Sequence, residues 1–295
     1  MQPTPILLIG AQKSGSSFLF RLIAQDPSIA RAKLKGPKIL SKPMHDDSDF
    51  LSHFNYGHGH RYVLDGSDSY LHVAGTAERA VTQLGTDIPI IAVLRDPVER
   101  AVSGYLHEVK HGRELRTPEA VFSLSDDPDE AVVAEDVAVQ AAWRSGLTQP
   151  HLAVFERYRD QLFGFRYIAN SRYSHQLEPW LATFSNLRLV DFTELRVDPE
   201  GVTARVRAWL GLPKASALEV RVPRNSTVLR SWRALRENRA LEHDHTRPGL
   251  LTVWRRQRML FSRLKKGKPA MPAGLGHALQ QEFDVFKQRQ VTKWL

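Results

Sequence analysis

The sequence predicts an α/β fold: a parallel sheet flanked by helices, in a single domain over residues 1–295 with a helical C-terminal extension. Three observations carry this expectation. Short apolar runs alternate with helical patterns along the chain, the arrangement of βα units. The runs are continuously apolar rather than alternating, as in strands buried on both faces. No internal repeat or long linker divides the 295 residues, and 42% hydrophobic content is enough for a sizeable core.

Taken in order, residues 5–10 (PILLIG) form a buried strand, and the segment from Ser16 to Gln25 begins a helix. Residues 61–65 (RYVLD) make a short strand, followed by a helical stretch near His72–Leu84. Residues 88–95 (IPIIAVLR) are the strongest strand, and Pro97 falls in the first turn of the next helix, where proline is tolerated. The region 117–150, with SDDPDE and SGLTQP, reads as loop-rich between helical pieces. Residues 187–192 (LRLVDF) are another strand, Glu200–Leu210 a helix closed by Gly211 and Pro213, and a last helix follows Pro272.

Composition removes several classes of chemistry. With no cysteine there is no disulfide framework, thiolate zinc site or cysteine nucleophile. MQPTPILLIG carries no lysine or arginine before a short apolar run, so it is neither a secretory signal nor a membrane span. A cytoplasmic protein without a transmembrane segment is the expectation. The net charge of +9 is concentrated: Arg221 to Lys268 holds fourteen Lys or Arg against three Asp or Glu, an excess of eleven, leaving the remainder near −2. Such a segment fits an anionic ligand or a solvated face. Aromatics are not interleaved with it as in single-strand binders and no zinc-finger or RNP-type motif appears, so no nucleic acid is expected. His58-Gly59-His60 reads as a glycine-rich loop, and no metal site is expected.

The first strand ends in Gly10 and feeds Lys13-Ser14-Gly15-Ser16-Ser17 at a helix start. Backbone N–H groups and the positive end of the helix dipole would converge there on an anion, which makes the sheet P-loop-like. The ATP version sets its lysine after the last glycine and holds magnesium with the next hydroxyl. Here Lys13 precedes Gly15, so that pattern fails. A surface turn capping a helix is the competing reading. The second motif is IIAVLRDPVERAVSGY at 90–105, a strand running into Arg95, with Ser103 eight residues on. A guanidinium offers a planar fork of donors suited to phosphate oxygens.

The two motifs together resemble those of sulfotransferases that use 3′-phosphoadenosine 5′-phosphosulfate (PAPS), in particular the heparan-sulfate-type and bacterial members. The resemblance implies that Lys13, Ser14, Gly15, Ser16 and Ser17 hold the 5′-phosphosulfate and that Arg95 and Ser103 hold the 3′-phosphate. RLKKGKPAMP at 263–272 is similar to the family's basic C-terminal loop, which implies that Lys266, Gly267 and Lys268 close over the phosphates. RYSHQLEPWLATFSNLRLVDFTEL and VRAWLGLP are similar to its middle section, so the likeness covers most of the chain. It implies a sulfotransferase domain over 1–295. The reaction would transfer a sulfuryl group from PAPS to a hydroxyl or amine, leaving adenosine 3′,5′-bisphosphate, with Lys13 catalytic and no metal required.

The acceptor side departs from the family. Lys35-Gly36-Pro37-Lys38 puts a glycine where relatives carry a basic glutamate, and Asp65-Gly66-Ser67-Asp68-Ser69-Tyr70 keeps an acid, a hydroxyl and the tyrosine of a second segment but neither its lysine nor its proline. His45, beside Asp46 and Asp47, and Asp65 are the candidates for the proton acceptor. The acceptor is a glycan, lipid-linked sugar, peptide or small metabolite. Two alternatives stand beside this reading. One is a binding-only homologue or polyanion-binding protein working through Arg221–Lys268. The other is a nucleotide or small-molecule kinase.

Overall fold

The computed structural model describes residues 2–32, 36–42, 50–148, 162–214, 218–221 and 269–295. These carry five strands, β1 (Thr4–Gly10), β2 (Ile29–Arg31), β3 (Tyr62–Asp65), β4 (Ile90–Leu94) and β5 (Leu187–Asp191). All pairings are parallel, in the order β2-β3-β1-β4-β5. The helices are α1 (Ser16–Ile23), α2 (Thr76–Leu84), α3 (Pro97–Lys110), α4 (Pro118–Phe122), α5 (Pro128–Arg144), α6 (Tyr173–Thr183), α7 (Phe192–Val197), α8 (Pro199–Trp209) and α9 (Ala273–Arg289). The parallel sheet flanked by helices and the C-terminal helix agree with the sequence. The chain separates into two compact units, each assembled from distant segments.

The first unit comprises Met1–Arg95, Tyr173–Arg224 and Phe286–Leu295 and contains the whole sheet. Ile6, Leu8, Ile91, Val93 and Val190 pack with Phe18, Leu19, Leu22 and Ile23 of α1 and with Val202 and Val206 of α8. The intervening Leu7, Ile9, Ile90, Ala92, Leu94 and Leu189 are equally buried. Both faces are therefore covered, which is why these strands read as unbroken apolar runs. The C-terminal residues meet the β5 edge at one point, where Leu295 N–H donates to the Leu189 carbonyl at 3.0 Å, so part of that edge is occupied. α8 is fixed to the turn after α1 by a buried ion pair, Arg207 Nη2 to Asp26 Oδ2 at 2.6 Å. Burial alone would raise the Asp26 pKa, but hydrogen bonds from Ser28 and the Arg207 guanidinium hold it below the usual carboxylate range.

The second unit comprises Asp96–Arg172 and Asn225–Val285. Its core joins Ala101, Tyr105 and Val109 of α3 to Phe122 of α4, Val139 of α5 and Tyr167. Here the structure departs from the loop-rich reading of 117–150, because α5 occupies 17 of those residues. SDDPDE is its start: Asp127 caps the N–H groups of Asp129 and Glu130, with Pro128 in the first turn. SGLTQP begins with its end, where Ser145 caps and Gly146 turns left-handed at φ 68°.

Candidate functional site

In a parallel sheet all carboxyl ends lie along one edge, and ligands bind outside that edge where strand order reverses. Here β1 is the reversal point, with β3 on one side and β4 on the other. Beyond Gly10 the chain turns through Ala11, whose N–H donates to Val93 at 2.8 Å, and reaches Lys13 with φ 68° and Gly15 with φ 87°. Gly15 caps α1 without any side-chain hydrogen bond, and the first turn holds no acidic residue. A helix start leaves its first N–H groups without intrahelical acceptors and carries partial positive charge. Both features suit an anion.

Gly15 is required twice over. Its φ is one that L side chains avoid, and a Cβ there would lie 2.7 Å from Cδ2 of Phe192. Phe192 opens α7 directly after β5. The same ring takes the Arg95 guanidinium over its face at 4.7 Å, a cation–π contact that orients the cation. Phe192 was visible in LRLVDF only as a strand residue; two contacts from distant segments give it its role, and no local signal announces it.

Arg95 leaves the end of β4, and its Nη1 donates to the Lys13 carbonyl at 3.3 Å. The two segments whose residues suit an anion, 82 positions apart in sequence, thus meet. Asp96 caps α3 by accepting from Glu99 N–H at 2.8 Å. Within the second unit, Ser103 lies half-buried on α3. Arg100 and Tyr105 of the same motif are structural anchors there. Arg100 Nε donates to Ser171 Oγ at 2.8 Å, and Tyr105 OH to the Arg116 carbonyl at 2.9 Å.

One observation bears directly on whether these residues fit a phosphosulfate. Ser14 is fully buried, and its Oγ has no hydrogen-bond partner. A buried hydroxyl left unsatisfied costs about 1–3 kcal/mol, and a ligand oxygen at this loop would supply the missing acceptor. Ser16 is nearly buried and Ser17 half-buried in the first turn of α1.

Asp65 ends β3 and is fully buried. Ser67 Oγ donates to its Oδ1 at 2.6 Å and Tyr70 OH to its Oδ2 at 2.7 Å. Burial pushes its pKa up to about 6, against the pull of those two hydroxyls. It faces no solvent, and both its oxygens are engaged, so its surroundings are those of a structural acid rather than of an open proton acceptor. The segment with Gly36 runs beside it: Lys38 N–H donates to Ser67 Oγ at 2.9 Å and Leu40 N–H to Tyr70 OH at 3.2 Å. His45, Lys266, Gly267 and Lys268 lie outside the described residues, as does most of the basic Arg221–Lys268 segment. Among the described residues no cluster of three or more His, Asp or Glu could hold a metal ion, and no helix is long and apolar enough to cross a membrane.

Known proteins resemble this chain in sequence and in fold. The chain is 27% identical over 224 residues to the mouse bifunctional heparan sulfate N-deacetylase/N-sulfotransferase 4, covering 70% of this chain and 22% of that protein. It is 25% identical over 223 residues to the human bifunctional heparan sulfate N-deacetylase/N-sulfotransferase 3, with coverage of 70% and 22%. The chain thus spans about a fifth of the length of these relatives. In fold it is similar to the crystal structure of a sulfotransferase from Alicyclobacillus acidocaldarius, with a TM-score of 0.57 and 22% identity over 89% of this chain and 96% of that one. The model of the sulfotransferase domain matches residues 3–294, across both compact units, and the chain belongs to that family of transferases.

Proposed function

We propose that this chain, acting as one domain over residues 1–295, transfers a sulfuryl group from PAPS to a hydroxyl or amine acceptor. The observation that carries the reading is the meeting of Arg95 with the Lys13 turn. It sets a planar cation of the kind that suits phosphate beside a helix start whose N–H groups suit an anion. The relatives are named as heparan sulfate N-sulfotransferases, which makes a glycan amine the first acceptor to try.

When bound, the phosphosulfate supplies the sulfuryl group, and the chain supplies position and charge. Ser14 Oγ, Ser16, Ser17 and the N–H groups opening α1 would hold the 5′-phosphate. Lys13 would stabilise the electron pair left on its bridging oxygen as the S–O bond breaks and the acceptor's O–S or N–S bond forms. Arg95, held by the Phe192 ring, and Ser103 would take the 3′-phosphate, and Lys266, Gly267 and Lys268 would close over it. The acceptor's proton passes to His45 or to water. A metal has no assigned role, because the loop lacks the Gly-Lys-Ser/Thr string of ATP loops: Lys13 precedes Gly15.

The test is transfer of labelled sulfate from PAPS to de-N-sulfated heparin without added magnesium. Lys13→Ala should reduce it by at least 100-fold while leaving the fold intact. Transfer that needs ATP and magnesium would replace this reading with a kinase. Two observations favour a second reading, binding without transfer: Gly36 offers no carboxylate, and Asp65 is sealed from solvent. In that case wild type binds adenosine 3′,5′-bisphosphate but labels no acceptor.

A further inference from the structure

We propose that Asp65 is a positioning residue for the acceptor: through the hydroxyls of Ser67 and Tyr70 it fixes residues 36–41 as a wall of the acceptor channel. The proposal rests on the donor-site reading above and adds to it the side from which the acceptor arrives.

The hydrogen bonds form a directed relay. An ionised carboxylate only accepts, and a hydroxyl has one proton to give. Ser67 and Tyr70 both spend that proton on Asp65, at 2.6 and 2.7 Å. Only their lone pairs remain, and these accept the N–H groups of Lys38 and Leu40. The acid therefore dictates which way both hydroxyls point, and so whether the two backbone donors of the 36–41 segment are satisfied. A third tie joins Ser41 Oγ to Ser69 Oγ at 2.8 Å. The two backbones run so close that a Cβ on Gly36 would lie 3.2 Å from the Gly66 carbonyl. Lys38 is held at φ 58°, a conformation unfavourable for a residue with a Cβ, which persists only where surroundings over-determine it.

Position supplies the rest. The turn after β3 is seated against the end of β1 by Leu71 N–H donating to the Ile9 carbonyl at 3.0 Å. From the Lys13 turn, Arg95 and Phe192 lie toward β4 and β5, the side the nucleotide would take. Transfer in line requires the acceptor opposite the leaving phosphate. That is the β3 side, where Asp65 holds the 36–41 segment.

Asp65→Asn and the milder Tyr70→Phe test this with three readouts. These are calorimetric binding of adenosine 3′,5′-bisphosphate, amide exchange at Leu40, and initial rates with PAPS and de-N-sulfated heparin. In Tyr70→Phe the nucleotide Kd and the KM for PAPS should stay within twofold of wild type. Exchange at Leu40 should rise at least tenfold, and kcat/KM for the glycan should fall at least tenfold. Equal losses toward PAPS and glycan, or faster exchange with unchanged glycan kinetics, overturn the proposal. A wild type that gives no heat with the bisphosphate sinks the donor-site reading and this proposal with it. That outcome is told apart because the first two failures leave nucleotide binding by wild type normal.

Discussion

At Gly15 two constraints coincide, and they can be separated by mutation. The φ of 87° penalises any side chain, while the approach of Phe192 Cδ2 to 2.7 Å penalises a Cβ sterically. Gly15→Ala should therefore cost about 2–4 kcal/mol, combining left-handed strain with overpacking, as measured by urea denaturation. Adding Phe192→Ala should recover the steric part and leave the strain, so the two changes will not be additive. Asp65 poses a titration problem instead. Its pKa rises from an ordinary 3.8 to about 6 in the fold. Between those values the folded chain keeps a proton that the unfolded chain has lost, so this group's contribution falls as pH rises. Relative to Asp65→Asn, which does not titrate, wild type should lose about 2 kcal/mol from pH 4 to pH 7. A flat difference would show that the carboxyl is not desolvated. Lys13 and Arg95 were legible in the sequence because each follows an apolar strand in a recognisable string. Phe192 and the sealed state of Asp65 were not, since burial and ring contacts arise only once the strands assemble in the order β2-β3-β1-β4-β5.

Elements were read best where hydrophobic pattern and punctuation agreed. β1 and β4 fell within a residue or two of their expected spans because a parallel strand covered on both faces is a run of apolar side chains with a clear stop. The three residues of β2, Ile29–Arg31, are too few to make a pattern. They are a strand because β3 pairs with them, through Ile29 beside Tyr62 and Arg31 beside Leu64. α5 shows the opposite failure: SDDPDE and SGLTQP look like loops by composition, but Asp127 of the first and Ser145 and Gly146 of the second cap a helix. α8 depends on a feature that no pattern reveals, the pair formed by Arg207 with Asp26, at 5% and 3% exposure. Arg207→Ala would leave Asp26 charged and buried, and should cost about 3–5 kcal/mol at pH 7. The folded Asp26 pKa is depressed, so the stability it provides is present above its unfolded pKa and is lost as pH falls through the folded one. The deficit of Arg207→Ala should accordingly shrink in acid, which urea denaturation at pH 7 and pH 3 would measure.

Over the whole molecule, charge is divided between two places that different anions would distinguish. The chain carries +9, but Arg221 to Lys268 alone exceeds neutrality by eleven; the segments proposed to hold the nucleotide, at the ends of β1 and β4, lie in the nearly neutral remainder. A polyanion gripping the basic segment releases many counterions, so heparin binding should fall steeply as salt rises. A small doubly phosphorylated nucleotide held by directed N–H, hydroxyl and guanidinium donors makes few such contacts, and its affinity should fall more gently. At 100 times its Kd, adenosine 3′,5′-bisphosphate should stabilise the fold by about 2.7 kcal/mol, seen as a melting temperature raised by several degrees with or without magnesium. Lys13→Ala should abolish that rise and leave heparin retention unchanged, because Lys13 lies outside the basic segment. Equal loss of both would mean that a single surface serves nucleotide and polyanion alike, and the assignment of the Lys13 turn to the donor would fail with it.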